Sequence, residues 1–340
     1  MIPYALPFRK PYVTVRGSLD RREIVLLRIT TGDGITGLGE GVPMSLRGGS
    51  SLENVVDELE SWGERASAAS TGVTGMSGPA RIAVETALAD AEARTRGIPL
   101  HSLLKPGSDA QPVRCNATLA AGTPADVLAQ AEEWAADGFT TFKLKLGVGD
   151  DVAQVRAVRE GLGEEVKIRI DANGSWRDAE AATRLAALEP FAIELAEQPV
   201  SSLGAMAALR DTTSIPLVAD ESVSSPEDAA EAAQTSACDA VTVKLSKTGS
   251  LDASLGGHLP TYLSSALDGP VGIAAAAHVA QTLSPPQPWS TVAHGLATER
   301  LFSTTILDGE GLLSRAELPV PDGKGLGITI DNRALAALRL

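Results

Sequence analysis

Thr141 to Leu146 reads TFKLKL. In a strand side chains alternate, so Phe142, Leu144 and Leu146 point one way while Lys143 and Lys145 point the other. A solvated surface strand is the plain reading of two lysines opposite an apolar face. The runs downstream favour another. Three more apolar runs end on a carboxylate and a fourth on a lysine: VKIRIDAN at Asp171, FAIELAEQP at Glu197, IPLVADES at Asp220 and AVTVKLSK at Lys244. Counted from Lys145, the separations are 26, 26, 23 and 24 residues. Each is close to one strand-plus-helix unit, so the charges recur at one level of successive strands.

A chain of 340 residues can hold one barrel of about 250 residues and a smaller domain. The net charge of −14 argues against general affinity for nucleic acid or an anionic membrane, both of which need a basic footprint. A small carboxylate substrate needs only a local positive pocket. Lysine is scarce at eight residues, and four of them are Lys143, Lys145, Lys244 and Lys247. Cys115 and Cys238 have neither metal-type spacing nor a disulfide framework, which suits a reduced compartment. MIPYALPFRK lacks the apolar core of a signal peptide and no run is long enough to span a bilayer, so a cytoplasmic location is expected.

Residues 11–31, with the REIVLLRIT run and the TGDG turn, predict an antiparallel meander continuing into ITGLGEG. Helical patterns follow at SLENVVDELESW and from Pro79 to Arg96, where Gly97-Ile98-Pro99 stops the second helix. The expected arrangement is an N-terminal α+β capping domain over residues 1–110. The loop from Pro43 to Ser50 reads equally as a lid or as a plain surface turn. From Pro112 strand and helix alternate, and eight strand candidates between VRCNATL and STVAHGL predict a (β/α)8-type barrel, a modified TIM barrel, over 111–318. After Lys244 the GSLDASLGGHLP stretch predicts a helix that is truncated or replaced by a loop. PVPDGKGLGITID, in the return segment 319–340, reads as a strand rejoining the first domain.

In such a barrel the strand C-termini share one mouth, where chemistry resides. Asp171, Glu197 and Asp220 close their runs there. A single acid could simply cap the next helix, but three converging carboxylates repel one another unless a cation joins them. All-oxygen donors without a nearby His or Cys favour Mg²⁺, with Mn²⁺ as a substitute. FAIELAE breaks the alternation, because Ile193, Leu195 and Glu197 share a side, and it requires a bulge or an early strand end. Lys145 and Lys244 would flank the ion, and crowding by positive charge favours a neutral amine at Lys145. This suits removal of a proton alpha to a carboxylate, with Lys244 steadying the dianionic enediolate. Lys247, three residues on, reads either as a supporting charge or as a solvated loop lysine. A Schiff-base aldolase built on a barrel lysine, and a catalytically silent binding protein, are the rival readings.

KLK at 143–145, DANGSW at 171–176, EQP at 197–199, DES at 220–222 and VKLSKTG at 243–249 resemble the enolase superfamily, specifically its muconate-lactonizing-enzyme-like subgroup. The resemblance covers nearly the whole chain, including LPFRKPYVTVRGSL and GDGITGLGEGVP. It implies Mg²⁺ on Asp171, Glu197 and Asp220, Lys145 as acid/base, Lys244 opposite, and Lys143 and Asn173 in support. LSSALDGPVGIAAAAHVA with AHGLAT is similar to the o-succinylbenzoate synthase family. That likeness implies a magnesium-dependent lyase of menaquinone biosynthesis, performing a syn-dehydration of a succinyl-hydroxycyclohexadiene carboxylate. Ser264, Ser265 and Gly295 would then line the succinyl pocket. N-acylamino-acid racemases, dipeptide epimerases and cycloisomerases of the subgroup are the alternatives. Dipeptide epimerases carry an Asp-x-Asp pair, where TILDG here has Ile306 two before Asp308.

Overall fold

A computed structural model of the chain describes residues 1–45, 48–66 and 72–340. Three antiparallel strands open it: β1 (Ile2–Thr14), β2 (Gly17–Thr30) and β3 (Thr36–Gly41), in that spatial order. β1 begins at Ile2, well before the expected meander, because it is an edge strand where Pro3 and Pro7 cost no ladder bond. Helices α1 (Leu52–Ala66) and α2 (Gly78–Arg96) follow. They cover one face of the sheet, with Val25 and Leu27 of β2 packed against Val55, Leu59, Trp62 and Ala83. β3 lies so close to α2 that a Cβ at Gly37 or Gly39 would strike the carbonyl oxygens of Ala87 and Ala83. The glycines of ITGLGEG are therefore required by close approach, while the turn itself needs Gly34, at φ 85°. Gly97, at φ 70°, ends α2 where expected. Of the Pro43–Ser50 loop, Leu46 and Arg47 lie outside the described residues; Met44 is tied back to Ser50 and Gly49 by backbone hydrogen bonds.

A short helix α3 (Leu100–Leu104) and strand β4 (Val113–Arg114) lead into the repeating part. It comprises β5 (Ala117–Leu119), α4 (Pro124–Ala136), β6 (Thr141–Lys145), α5 (Asp151–Leu162), β7 (Lys167–Asp171), α6 (Asp178–Leu188) and β8 (Ile193–Glu197). Then come α7 (Leu203–Leu209), β9 (Leu217–Ala219), α8 (Pro226–Gln234), β10 (Ala240–Val243), α9 (Leu245–Thr248), β11 (Thr261–Leu263) and α10 (Pro270–Ala280). β5 to β11 form one seven-stranded parallel sheet in sequence order. Its two edges are joined by the segment around His294 and Gly295, which bridges Cys115 on one side and Ser264 on the other. That segment is the eighth stave of a (β/α)8-type barrel carrying an N-terminal α+β domain. The outward face of β6, Phe142 and Leu144, is buried among the helices, and Leu146 follows them. α9 has four residues and stops at Gly249, as the glycines after Lys247 predict.

The expected bulge is present. Ile168 pairs with Ile193 but Arg169 pairs with Leu195, so Glu194 is the extra residue. It turns Leu195 inward onto Val218, Ala240 and Tyr262 while Ile193 stays outside, and the inward phase then includes Glu197. The C-terminal segment departs from its expected form. β12 (Glu317–Leu318) pairs with β4, and α11 (Asn332–Ala337) precedes a tail lying along β1. Between them 319–331 makes single bridges rather than a strand, because Gly325 and Gly327 adopt φ near 65° and break the alternation.

Candidate active site

Successive strands bring the polar ends to one level. Lys145 pairs with Asp171 and Asp171 with Glu197 across neighbouring strands. The pairing of Glu197 with Val218 then lifts Asp220 above it, and Lys244 and Ser264 follow the same stagger round the barrel. β6 and β10 are four staves apart in a ring of eight, so Lys145 and Lys244 approach from opposite walls.

The carboxylates are fully buried and every one meets an ammonium. Lys143 Nζ donates to Glu197 Oε1 at 2.6 Å and stands 2.9 Å from Asp171 Oδ2. Lys145 Nζ donates to Asp171 Oδ2 at 2.5 Å and to Asn173 Oδ1 at 3.2 Å. Lys244 pairs with Asp220 and stands 3.9 Å from Glu197 Oε1. Lys247 is no solvated loop lysine: its Nζ lies 3.0 Å from Asp220 Oδ1 and also donates to the Asp220 carbonyl. Burial alone would raise the Asp171 carboxyl, but Lys143, Lys145 and Lys244 outweigh it and hold it well below the usual range. Burial and then the charge of Asp171 push Glu197 up to about 7.

The loops that follow the strands are fixed by the motif residues. Asn173 sits at φ 48°, a left-handed position Asn tolerates, and its Nδ2 donates to Glu221. Gln198 of the EQP motif accepts the backbone N–H groups of Asp220 at 2.8 Å and Ser222 at 3.2 Å, locking the DES turn.

The cavity above this layer is floored by Lys143, Lys145 and Lys244, and Arg16 and Arg22 reach it from the N-terminal domain. Arg16 Nη2 donates to the Asn173 carbonyl at 2.7 Å and lies 3.6 Å from Glu221. Arg22 donates to the carbonyls of Pro43 and Ala266. Ser264, Ser265 and Gly295 line the cavity as expected, but they are not equivalent. The Ser265 hydroxyl donates to Asp268 Oδ2 at 2.8 Å and accepts from the Asp268 N–H and Thr298 Oγ1, so its bonds are spent within the protein. A Cβ at Gly295 would come within 2.7 Å of Ser264 Oγ, so glycine there leaves room for that hydroxyl. Asp308 is exposed, and no Asp or Glu is among the described residues lining the cavity.

His278 and His294 are structural. His278 accepts the His101 N–H on Nδ1 and faces the Leu326 carbonyl with Nε2, and burial pushes it down to about 4. His294 accepts the Leu263 N–H on Nδ1, and burial followed by Arg169 lowers it to about 4 as well.

Sequence reasoning missed Arg16, Arg22, Gln198, Tyr262 and Asp268. Tyr262 was within reach of it, because it shares a strand face with Ser264 two residues later. The arginines sit around a hairpin turn whose position over the barrel no local pattern encodes.

A parallel barrel that collects carboxylates and opposed lysines at its C-terminal mouth defines a barrel enzyme equipped for proton transfer. The chain belongs to the enolase superfamily, in its mandelate racemase and muconate lactonizing enzyme branch. Residues 2–105 match the mandelate racemase / muconate lactonizing enzyme N-terminal domain and 126–334 the enolase C-terminal domain-like family. It is 30% identical to the L-Ala-D/L-Glu epimerase of Bacillus subtilis, over 95% of this chain and 94% of that one. It is also 30% identical to muconate cycloisomerase 1-2 of Acinetobacter lwoffii, over 98% and 92%. Among solved structures, a dipeptide epimerase from Enterococcus faecalis, complexed with Mg and the dipeptide L-Leu-L-Tyr, superposes with TM-score 0.87 at 26% identity, covering 96% and 97%. The N-succinyl Arg/Lys racemase of Bacillus cereus gives 0.90 at 25% identity, covering 100% and 96%.

Proposed function

We propose that the protein is a magnesium-dependent racemase or epimerase that moves the proton alpha to the carboxylate of an N-acylated amino acid bearing a second anionic group. The observation that carries the reading is the pair of lysines from opposite sides of the barrel meeting in a cavity that Arg16 and Arg22 also line. Syn-dehydration, the expectation from the sequence, gives way as the leading reading. The relatives named above are epimerases, racemases and cycloisomerases.

Among the described residues no three Asp, Glu, His or Cys side chains are grouped as a ready metal cluster, since the lysines stand between the carboxylates. The donor set nevertheless fits a hard cation. Three buried carboxylates at neighbouring strand ends, with no nitrogen or sulfur donor beside them, suit Mg²⁺ or Mn²⁺ once they turn toward a common centre. Asp171, Glu197 and Asp220 would hold it, as the Mg-bound relative encourages. Bound there, the ion supplies positive charge against the substrate carboxylate as its alpha carbon is deprotonated.

The chain's own groups do the rest. Lys145, as the free amine, takes the alpha proton from one face while Lys244, as ammonium, returns a proton to the other, and the reverse reaction exchanges their roles. Asn173 holds the Lys145 Nζ in place. Lys143 stays charged between Asp171 and Glu197, which raise its pKa against the lowering effect of burial. Arg16 and Arg22 receive the distal anion, where a dipeptide's free ammonium would be repelled.

The test is incubation with Mg²⁺ and each enantiomer of an N-succinyl amino acid in D₂O, following alpha deuteration and optical rotation. Exchange that chelation abolishes and Mg²⁺ restores supports the reading; exchange indifferent to chelation sinks it. A second reading is favoured by the same arginines together with the cycloisomerase relative. In it the substrate is an unsaturated dicarboxylate that cyclises, and loss of diene absorbance would identify it.

A further inference from the structure

Below the carboxylates the barrel interior holds a second polar layer that the proton transfers do not use. Arg169, two residues before Asp171 on β7, is fully buried. Its Nε donates to Glu194 Oε2 at 2.6 Å, and its Nη1 donates to Asn116 Oδ1 at 3.2 Å and to the Ala293 carbonyl at 2.6 Å. So held, the guanidinium lies 5.5 Å from the centroid of the Tyr262 ring. Tyr262 is itself buried, and its hydroxyl donates to Glu197 Oε2 at 3.3 Å.

The two oxygens of Glu197 thus have different partners. Oε1 faces the cavity layer, meeting Lys143 at 2.6 Å and Lys244 at 3.9 Å, while Oε2 is turned down onto the phenol. A glutamate has three side-chain torsions to fix before it can hold a cation in one geometry. A hydrogen bond to the oxygen not offered upward fixes the last of them. The bulge at Glu194 matters twice, because it sets the inward phase of Glu197 and also places the carboxylate that anchors Arg169.

We propose that Tyr262 is a positioning residue for the metal: its hydroxyl pins Glu197 Oε2 and leaves Oε1 presented to the cation, with Arg169 and Glu194 holding the ring from beneath. This rests on the magnesium reading above. Partners that orient a metal ligand typically contribute about 10-fold to 100-fold in metal affinity.

The experiment is a Mn²⁺ titration of the chelator-stripped full chain, followed by electron paramagnetic resonance, with Mg²⁺ affinity taken by competition. Wild type is compared with Tyr262→Phe, which keeps the ring and deletes the hydroxyl. The expected result is metal binding weakened about 10-fold to 100-fold, with turnover at saturating metal reduced far less. A variant that melts at lower temperature but binds metal as tightly as wild type overturns the inference and leaves the magnesium reading standing. Wild type that binds neither ion overturns both. Should Tyr262→Phe not fold, Glu194→Gln loosens the same layer from below. Weaker metal binding in that variant sustains the proposal, and unchanged binding ends it.

Discussion

Glu40 Oε1 accepts the backbone N–H of Gly269 at 2.6 Å, tying the last strand of the N-terminal sheet to the first turn of α10 in the barrel. The other oxygen accepts from Val271 N and the Tyr4 hydroxyl. Burial, and then the nearby charge of Asp268, push the Glu40 carboxyl from 4.5 up to about 8. Because the folded value is the raised one, the contribution of this group is complete below pH 4.5 and is lost as pH rises through 8. Against Glu40→Gln, wild type should lose stability across that window by up to about 1.4 kcal/mol per pH unit. Urea unfolding at acid, neutral and mildly alkaline pH checks it, and a constant difference between the two proteins would refute the assignment.

Removing one lysine should separate the two faces of the substrate. Lys145→Ala is expected to lower turnover by about 10²-fold to 10⁴-fold, the usual contribution of a positioned acid or base. Lys244→Ala should lower racemisation as much while retaining alpha exchange of the enantiomer whose proton Lys145 reaches. Single-enantiomer deuterium exchange by NMR reads this directly. Equal residual exchange of both enantiomers in either variant contradicts opposed bases.

Arg16 is the specificity test. Its guanidinium is partly exposed at the cavity and anchored on Asn173. Arg16→Met should reduce kcat/KM for an N-succinyl amino acid by about 10-fold or more, on the order of a lost hydrogen bond to a charged group. An N-acetyl analogue, lacking the second carboxylate, should change little. Parallel losses on the two substrates would mean that Arg16 acts only by bracing Asn173.

At Gly295, replacement by alanine forces Ser264 to move, since the new Cβ falls 2.7 Å from Ser264 Oγ and 3.2 Å from its Cβ. Overpacking of this kind costs about 1–3 kcal/mol. The expected outcome is a raised KM with a modest drop in melting temperature, and a variant with unchanged KM would remove Ser264 from the substrate wall.

Much of the site was legible because it is written in local period and spacing. Lys145 of TFKLKL, the acids at Asp171, Glu197 and Asp220, and Lys244 recur at intervals of 23 to 26 residues, and all reach one mouth. Even the irregularity in FAIELAE was visible as a broken alternation, although only the pairing of Arg169 with Leu195 identified Glu194 as the inserted residue. The return segment was misread, since its alternation of Leu326, Ile328 and Ile330 resembles a strand while the intervening glycines take positive φ. The family likeness implies Ser265 at the substrate wall, and it does line the cavity, but Asp268 and Thr298 consume its hydroxyl.

By itself the sequence determined the barrel and its polar mouth, because strand alternation and repeat length are properties of neighbouring residues. Tertiary structure alone decided which charges touch: that Lys247 bends back onto Asp220, that Tyr262 rises beneath Glu197, and that Arg16 crosses from a distant hairpin to Asn173. Those contacts join residues 27, 65 and 157 positions apart. They depend on how staves are staggered and how one domain is laid over another, and no local rule of side-chain direction carries that information.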